Sequence, residues 1–301
     1  MRDFLNIGLI QPVINPDLSW GEHEPYSLNT DPITADRVWQ EIQKGITLML
    51  SESVKPEIIL IPELHLPVDK INSIKRMSRK TGIMIISGVD FQRNPANRLL
   101  IRNRGIITIP NKWGKNKRSS RVNTFHYGKT FFSYMERSMF KNINTEHCFE
   151  DPEQNMYIFK SSEFGNFGIM ICSDIFDIER MMLYQGRIHH LFIISLNKDL
   201  NTYFSLAETL TRLLYCNVVI CNTGFYGGSI VVTPFDDVNE RLIYKYQGQR
   251  MFNSHIVSIP VNSLQKAQEF DFSSGNKKDL GIKFKASPPG YYDKFQNISG
   301  E

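Results

Sequence analysis

Residues 165–174, which run GNFGIMICSD, decide the fold class of this chain. The five residues before Cys172 form a short run without charge, as is typical of a strand buried on both faces of a sheet. Two polar residues after Cys172 end this run, and a helical pattern begins near Ile178. The stretch therefore predicts a buried strand, a turn that carries a cysteine, and a helix after the turn.

Short apolar runs of the same kind recur along the chain and alternate with helical patterns. The predicted strands are residues 4–10, 57–61, 82–87, 98–102, 106–110, 156–159, 165–172, 190–195, 217–221, 229–233, 241–246 and 255–259. The predicted helices are residues 32–50, 69–81, 178–186 and 202–215. Several consecutive strands have no helix between them, which excludes a simple doubly wound parallel sheet. We expect an α/β fold in layers, with sheets sandwiched between outer helices.

The composition is that of an ordinary soluble globular protein. The 301 residues are 41% hydrophobic and 22% charged, and the formal net charge of +4 is too small to indicate nucleic-acid binding by the whole chain. The apolar runs are far shorter than the ~20 residues that a membrane-spanning helix needs. The four cysteines include no C-x-x-C pair, which favours reduced thiols, so we expect a cytoplasmic protein without membrane contact.

The length and the lack of a flexible linker favour one domain. We place it at residues 1–262, with a basic insert at about residues 113–145 and a polar tail at residues 263–301. The tail is predicted to wrap the domain or to reach a subunit or partner interface. In the insert, Lys115, Lys117, Arg118 and Arg121 have no acidic neighbour in sequence. They predict either a docking site for an anionic partner (an anionic substrate, nucleic acid or an acidic protein) or a solvated loop.

Cys172 is the sharpest candidate for chemistry. A thiol at a strand-to-helix turn lies beside the first backbone N–H groups of the helix, and these dipoles favour a thiolate with a lowered pKa. The same N–H groups can hold a developing oxyanion. The alternative is a structural cysteine buried in the core, which is the commoner role for an unselected cysteine.

Two further residues each end a short apolar strand. Glu63 follows the run 57–62, at a sheet edge where partial burial would suit a general base. Lys112 follows the run 105–110, where a fixed ammonium would stabilise negative charge in a transition state. Taken singly, each fits a solvated loop residue better, and Lys115 competes with Lys112 for the role. Together with Cys172 they supply an acid, an ammonium and a nucleophile, and we expect the three to converge.

This combination resembles the motifs of the nitrilase superfamily of carbon–nitrogen hydrolases. Residues 61–63 (IPE) resemble the glutamate motif of the family, residues 110–112 (PNK) its lysine motif, and residues 165–174 its nucleophile motif. Residues 7–11 (IGLIQ) are similar to its opening strand, and residues 217–229 to the segment that closes its pocket. The likeness covers about residues 4–260. It departs from the family at Ser173, where an aromatic residue is common, and at Asp177 and Ile178, where a Phe-Pro pair is common.

The resemblance implies a four-layer αββα sandwich that pairs into homodimers or larger homo-oligomers, without a metal or an organic cofactor. It implies that Glu63 is the base, that Cys172 is the nucleophile, and that Lys112 and the Ser173 backbone N–H hold the tetrahedral anion. The substrate would be a small amide or nitrile.

The pocket is expected to contain a second glutamate and three smaller polar residues. Glu146 is the candidate for the glutamate, with Glu150 and Glu136 as alternatives. The smaller pocket residues are Ser173, Asn197 and Asn222.

The predicted activity is hydrolysis of a non-peptide C–N bond, in an amide rather than a nitrile, through a thioester on Cys172. Acyl transfer to an amine is the second enzymatic possibility, because it differs only in the second nucleophile. A different hypothesis is a nitrilase-like regulatory or interaction domain of a larger assembly. The basic insert and the altered turn at Ser173 motivate that alternative.

Overall fold

The computed structural model describes residues 1–21, 24–115, 117–272 and 283–292, which form two β-sheets with helices around them. The strands of the first sheet are β1 Phe4–Gln11, β2 Ile58–Leu66, β3 Met84–Arg93, β4 Leu100–Pro110, β5 Val122–Gly128, β6 Phe149–Glu150 and β13 Asn253–Pro260. The strands of the second sheet are β7 Ile158–Phe159, β8 Phe167–Ile171, β9 His190–Ser195, β10 Asn217–Asn222, β11 Ser229–Val232 and β12 Leu242–Tyr246.

Capping residues in the sequence set the start of one long helix and the end of another. Asp31 begins the helix Pro32–Ser51 by accepting a hydrogen bond from the Thr34 backbone N–H at 3.0 Å, and Gly82 ends the helix Ile71–Thr81 with a left-handed φ of 75°. No helix within the described ranges is long and apolar enough to cross a membrane. The α-helices are α1 Pro16–Ser19, α2 Pro32–Ser51, α3 Ile71–Thr81, α4 Tyr134–Phe140, α5 Ile178–Tyr184, α6 Leu200–Leu213, α7 Val238–Arg241 and α8 Asn262–Glu269, with short 3-10 helices at Val68–Lys70 and Cys172–Phe176.

The strand directions of the first sheet decide which side chains can meet. The sheet has the order β13-β1-β2-β3-β4-β5, in which β1, β2 and β3 are parallel to one another. β4 is antiparallel to β3, and β5 is antiparallel to β4. The carboxyl ends of β2 and β5 therefore lie at one edge of the sheet, and the carboxyl end of β4 lies at the opposite edge.

The second sheet brings three strand ends together in the same way. Its order is β12-β11-β10-β9-β8-β7, and β8, β9 and β10 are parallel. The residues that follow these three strands consequently lie side by side, as in other sheets whose parallel strands carry a functional site at their carboxyl ends. Cys172 follows β8 at this edge.

Four layers result from the packing of the sheets and helices. The two sheets face each other across one apolar core, in which Leu60 of the first sheet packs with Ile193 and Val219 of the second. The outer face of the first sheet is covered by α2 and α3, and α6 packs on β10 and β11 of the second sheet. The expected layered α/β fold, an αββα sandwich, is confirmed.

The largest difference from the predicted elements is β5. It lies inside the segment interpreted as a basic insert, and it pairs with β4 along its whole length. Most of its side chains are polar and at least partly exposed, so it lacks the apolar run by which the other strands are recognised. β4 is also one continuous strand where two were expected.

The described part of the C-terminal tail packs on its own domain. Phe284 forms a β-bridge with Phe235, and the rings of Tyr291 and Tyr215 lie 5.3 Å apart. Residues 273–282 and 293–301 lie outside the described residues, so the predicted subunit or partner interface of the tail stays a prediction.

Candidate active site

Glu63 lies in the last part of β2 and is the centre of a buried polar cluster. Its side chain is 2% exposed and accepts hydrogen bonds from Lys129 Nζ and Asn103 Nδ2, each at 2.8 Å. The backbone N–H of Leu196, just after β9, donates to its other oxygen at 3.0 Å. Glu63 therefore links the end of the first sheet to the end of the second.

Lys129 follows β5 and lies between two carboxylates. Its Nζ is 2.8 Å from Glu63 and 2.7 Å from Glu136, and its side chain is only 1% exposed. Burial alone would lower the pKa of Lys129, but the charges of Glu136 and Glu63 outweigh it and raise the pKa well above its usual value. The ammonium is thus held charged inside the protein.

Glu136 is fixed by the start of α4. Its backbone N–H donates to the Ser133 hydroxyl, and its carboxylate accepts from the Ser133 backbone N–H, so the pair forms a capping box. Asn103 Nδ2 donates to Glu136 at 2.8 Å. Although burial would raise the pKa of Glu136, the Lys129 charge lowers it below its ordinary value.

Cys172 begins the turn after β8 in a left-handed conformation, with φ of 45°. Such a conformation costs of order 1–3 kcal/mol for a residue with a side chain and is concentrated at functional sites. The residue is 6% exposed, and its Sγ lies 3.2 Å from the Tyr203 hydroxyl oxygen on α6. The turn therefore places the thiol at the carboxyl ends of the parallel strands β8, β9 and β10, against Tyr203 of α6.

The prediction that the pKa of Cys172 is lowered is wrong. Burial, together with the negative charge of Glu63, raises the pKa of the thiol to about 12, because the Lys129 ammonium offsets these two effects only in part. The resting thiol is therefore protonated at neutral pH. Thr130, the residue after Lys129, donates its backbone N–H to Asp174, two residues after Cys172, so the turn with the thiol lies next to the buried ion cluster.

The predicted place of Lys112 beside Glu63 is also wrong. Lys112 is exposed and follows β4, which ends at the edge opposite to Glu63. The next residue, Trp113, donates its indole N–H to the Glu57 carbonyl at 2.8 Å, at the beginning of β2. Six residues of strand separate Glu57 from Glu63, or roughly 20 Å at about 3.3 Å per residue. Lys129 occupies the position that was expected of Lys112.

Glu146 does not reach the cluster either. Its carboxylate pairs with Arg93 at 2.8 Å and with Arg98 at 2.5 Å, near the turn between β3 and β4. The alternative Glu150 pairs with Arg137 at 3.1 Å. Of the three glutamates considered, Glu136 is the one that contacts Lys129.

Asn222, at the end of β10, holds the loop that follows β9. Its side-chain oxygen accepts from the Ser195 hydroxyl and the Asn197 backbone N–H, each at 2.9 Å. Its side-chain nitrogen donates to the carbonyls of Asn197 at 2.7 Å and Gly227 at 2.6 Å. Since both polar ends are engaged within the protein, Asn222 shapes the site and keeps Leu196 against Glu63.

The remaining predicted pocket residues lie around the thiol. The Ser173 hydroxyl donates to the Phe131 carbonyl at 2.5 Å, which joins the turn with Cys172 to the loop after Lys129. The Asn197 side chain accepts from the Asp199 backbone N–H at 2.6 Å at the start of α6 and also interacts with Tyr203.

Asp174 also joins the turn with Cys172 to the loop after Lys129, through a buried carboxylate. Its carboxylate accepts from the backbone N–H groups of Thr130 at 3.1 Å and Phe131 at 2.9 Å, and Arg180 lies 3.4 Å away. Burial raises the pKa of Asp174 to about 6. Because Asp174 is two residues after Cys172 and Thr130 directly follows Lys129, this contact fixes the turn with Cys172 relative to the ammonium.

Comparisons with known proteins support the fold and leave the narrower identity open. No protein-family profile matches the chain, and no curated protein sequence matches it. Solved structures do. Nit3 of Saccharomyces cerevisiae, a member of branch 10 of the nitrilase superfamily, matches with a TM-score of 0.60 at 14% identity, over 92% of this chain and 98% of Nit3.

Two bacterial structures are similar to the same extent. An amidase from Nesterenkonia sp. matches with a TM-score of 0.60 at 12% identity, over 93% of this chain and 97% of the amidase. XC1258 from Xanthomonas campestris, a CN-hydrolase superfamily protein, matches with a TM-score of 0.59 at 12% identity, over 89% and 94%. The chain therefore has the nitrilase fold, and at this level of identity the likeness extends to the fold alone.

Proposed function

We propose that this protein is a cysteine-dependent carbon–nitrogen hydrolase. Cys172 is the nucleophile, Glu63 the general base, and Lys129 the cation that stabilises the anionic transition state. The observation that carries the proposal is the buried contact of 2.8 Å between Lys129 and Glu63, beside the Thr130–Asp174 hydrogen bond that holds the turn with Cys172. An acid, a fixed ammonium and a thiol in one buried cluster are the groups that this chemistry needs.

The raised pKa of Cys172 decides how the first step runs. A thiol with a pKa of about 12 attacks only when a base removes its proton in the same step. Glu63 accepts that proton while the sulfur forms a bond to the carbonyl carbon of an amide, and the carbonyl oxygen becomes an oxyanion. Lys129 is already charged and oriented, so it stabilises this anion without reorganisation.

The same residues complete the cycle. Glu63 returns the proton to the nitrogen, the C–N bond breaks, and ammonia or an amine leaves a thioester on Cys172. Water then attacks the thioester carbon while Glu63 takes one of its protons. The C–S bond breaks with return of the proton to sulfur, and a carboxylic acid is released.

Glu136 and Asn103 position the two charged catalytic groups. Asn103 Nδ2 donates to both Glu63 and Glu136 at 2.8 Å, and Glu136 contacts Lys129 at 2.7 Å. The side chains of Glu63 and Lys129 therefore each have at least two partners that restrict their rotamers. Such support keeps reacting groups within the narrow geometry that catalysis requires.

The substrate class that we infer is small amides. The catalytic side chains are nearly buried, with Glu63 at 2% exposure, Lys129 at 1% and Cys172 at 6%, which leaves little room for a large acyl group. The fold is shared with amidases, including an amidase from Nesterenkonia sp. whose active-site cysteine is covalently modified by the acetamide moiety of fluoroacetamide. That likeness supports the proposal at the level of fold.

The same burial also favours a second candidate function, an interaction module without turnover. In that case the ions of Glu63, Lys129 and Glu136 would form a structural cluster that joins the two sheets. A buried ion network can serve specificity of folding without any chemistry.

The experiment that separates these functions is ammonia release from a panel of short amides and nitriles. The proposal predicts release by the wild-type protein and by Cys148→Ser, whose cysteine contacts Arg93 and packs in a different core cluster from Cys172, and none by Cys172→Ser. Added hydroxylamine distinguishes acyl transfer, because it captures the thioester as a hydroxamate. Equal ammonia release by wild-type and Cys172→Ser proteins would refute the proposed nucleophile.

A further inference from the structure

A second feature of the chain is a dense cluster of cations on α3 and on the turn that follows β4. Residues 70–82 and 111–121 contain ten lysines and arginines and no acidic residue. Lys70 is excluded here, because it pairs with Asp69 at 2.8 Å. We call the other nine the basic surface: Lys75, Arg76, Arg79, Lys80, Lys112, Lys115, Lys117, Arg118 and Arg121.

Backbone contacts join the two segments into one surface. The Ser119 backbone N–H donates to the Arg79 carbonyl at 2.8 Å, at the end of α3. Gly82 has a φ of 75°, and a Cβ there would lie only 2.4 Å from the Lys117 carbonyl oxygen. Glycine at this position therefore permits both the helix end and the close approach of the turn, and the cations of the two segments become neighbours.

The charges of this surface are not neutralised within the described residues. None of the nine cations is within salt-bridge distance of a described acidic side chain, although arginines elsewhere are paired. Eight of the nine are exposed, and Lys75 is partly buried. A group of like charges without counter-charges produces a strong local positive potential even though the whole chain has a net charge of only +4.

The lack of apolar groups indicates the kind of partner. No large hydrophobic side chain within 70–82 or 111–121 is exposed in the described part of these segments. Protein–protein interfaces are centred on apolar and aromatic side chains and are depleted in lysine, whereas nucleic-acid interfaces are much more positive and polar. The surface therefore fits phosphate groups better than an acidic protein face.

We propose that the basic surface binds nucleic acid through its phosphate backbone. We expect this binding to be independent of base sequence, because contacts from cations to phosphates carry no information about the bases. The turn with Lys112 lies at the sheet edge opposite to Glu63, so this site is separate from the catalytic cluster. Nucleic-acid binding is expected to leave the chemistry at Cys172 unchanged.

The test uses the whole chain and a fluorescein-labelled single-stranded DNA of 20 nucleotides, with anisotropy measured over a series of KCl concentrations. The surface variant is Arg79→Gln, Lys80→Gln, Lys117→Gln and Arg118→Gln together. Its charge-matched control is Lys141→Gln, Lys160→Gln, Arg187→Gln and Lys266→Gln, which neutralises four exposed cations elsewhere. Circular dichroism of both variants establishes that each is folded.

The proposal predicts salt-dependent binding by the wild type and the control variant. For single strands the slope of log K against log[salt] is about −0.7 for each phosphate that is neutralised. If all four cations contact phosphates, the slope measured for the surface variant should therefore be shallower than the wild-type slope by about 3. Equal binding by the surface and control variants, or no binding by the wild type at low salt, would overturn the proposal. Displacement of the DNA by polyglutamate at equal charge would indicate an acidic protein as the partner instead.

Discussion

The ammonium nitrogen of Lys129 lies 2.8 Å from Oε1 of Glu63, although the two residues are 66 positions apart in sequence. The contact exists because β2 and β5 run in the same direction and end at the same edge of the sheet. It places a charged, buried lysine beside the general base that we propose, and the catalytic account depends on it.

Replacement of Lys129 tests the role of this ammonium. We expect Lys129→Met to lower the rate of amide hydrolysis by about 10²–10³-fold, because one preformed donor to the oxyanion is lost. The variant is also expected to be less stable by about 3–5 kcal/mol, since two buried carboxylates lose their partner. Steady-state kinetics and thermal unfolding measure the two effects.

Lys112→Met is the matched control, because Lys112 is exposed and ends the antiparallel strand β4. It should hydrolyse amides at the wild-type rate. A large loss in Lys112→Met with little change in Lys129→Met would contradict the assignment.

Two of the three glutamates considered for the second acid, Glu136 and Glu146, offer a paired comparison. Glu136→Gln removes a charged partner of Lys129, and a hydrogen bond to a charged group is worth about 1.5–3 kcal/mol, so we expect kcat to fall roughly 10- to 100-fold. Glu146→Gln removes surface ion pairs with Arg93 and Arg98, each worth at most about 1 kcal/mol of stability. Its kcat should stay at the wild-type value, and equal losses in both variants would be inconsistent with the geometry.

The pH dependence of Cys172 alkylation follows from its raised pKa. Because burial raises that pKa to about 12, the thiolate fraction should grow about tenfold for each pH unit between pH 7 and 10, and alkylation by iodoacetamide should rise with it. The raised pKa also makes the free energy of unfolding depend on pH, because the unfolded chain loses the thiol proton at a lower pH than the folded protein. The contribution of the buried neutral thiol to stability is complete below pH 9 and is lost as the pH rises through 12.

Mass-spectrometric labelling of wild-type and Cys172→Ser proteins measures this profile. A plateau of the Cys172 rate near pH 7 would mean that the thiol is ionised at rest, contrary to the general-base mechanism. Hydrolysis of an amide should not follow the steep alkylation profile, since Glu63 removes the proton during the attack.

Tyr203 is expected to assist the sulfur. Its hydroxyl lies 3.2 Å from Cys172 Sγ, a position from which it can donate to the sulfur as negative charge develops there. Tyr203→Phe removes that hydrogen bond and should lower kcat roughly 10-fold or more with a smaller change in KM. Tyr184→Phe, which removes a buried hydroxyl bonded to backbone carbonyls away from the thiol, is the control.

Much of the fold was predictable because its strands are buried on both faces. The run before Cys172 and the run 58–61 are continuous segments without charge, and such runs identify central strands directly. The same signal predicted Cys172 directly after its strand, whereas β2 continues past Glu63 and ends at Leu66.

Lys129 could not be identified from apolar runs in the sequence. β5 is largely polar, so no apolar run precedes Lys129, whereas a strong run precedes Lys112. The direction of β4 decides between them, and strand direction is a property of the whole sheet. A local clue exists in hindsight: Glu136 is seven residues after Lys129 and begins a helix with a capping box.

The pKa of Cys172 was mispredicted for a related reason. The backbone dipoles at the turn are local and visible in sequence, but the burial that dominates the pKa comes from both sheets together. A cysteine at a strand end can therefore be a nucleophile and still be protonated at rest, provided that a base lies beside it.

Intact-mass analysis under acylating conditions tests the central claim most directly. Wild-type, Cys172→Ser and Cys148→Ser proteins are exposed to a panel of short amides, quenched in acid and weighed. The account predicts an increase equal to the acyl group in wild type and Cys148→Ser, assigned to Cys172 by peptide mapping, and no increase in Cys172→Ser. An acyl adduct that persists in Cys172→Ser, or no adduct and no turnover with any amide in the folded wild-type protein, would contradict it.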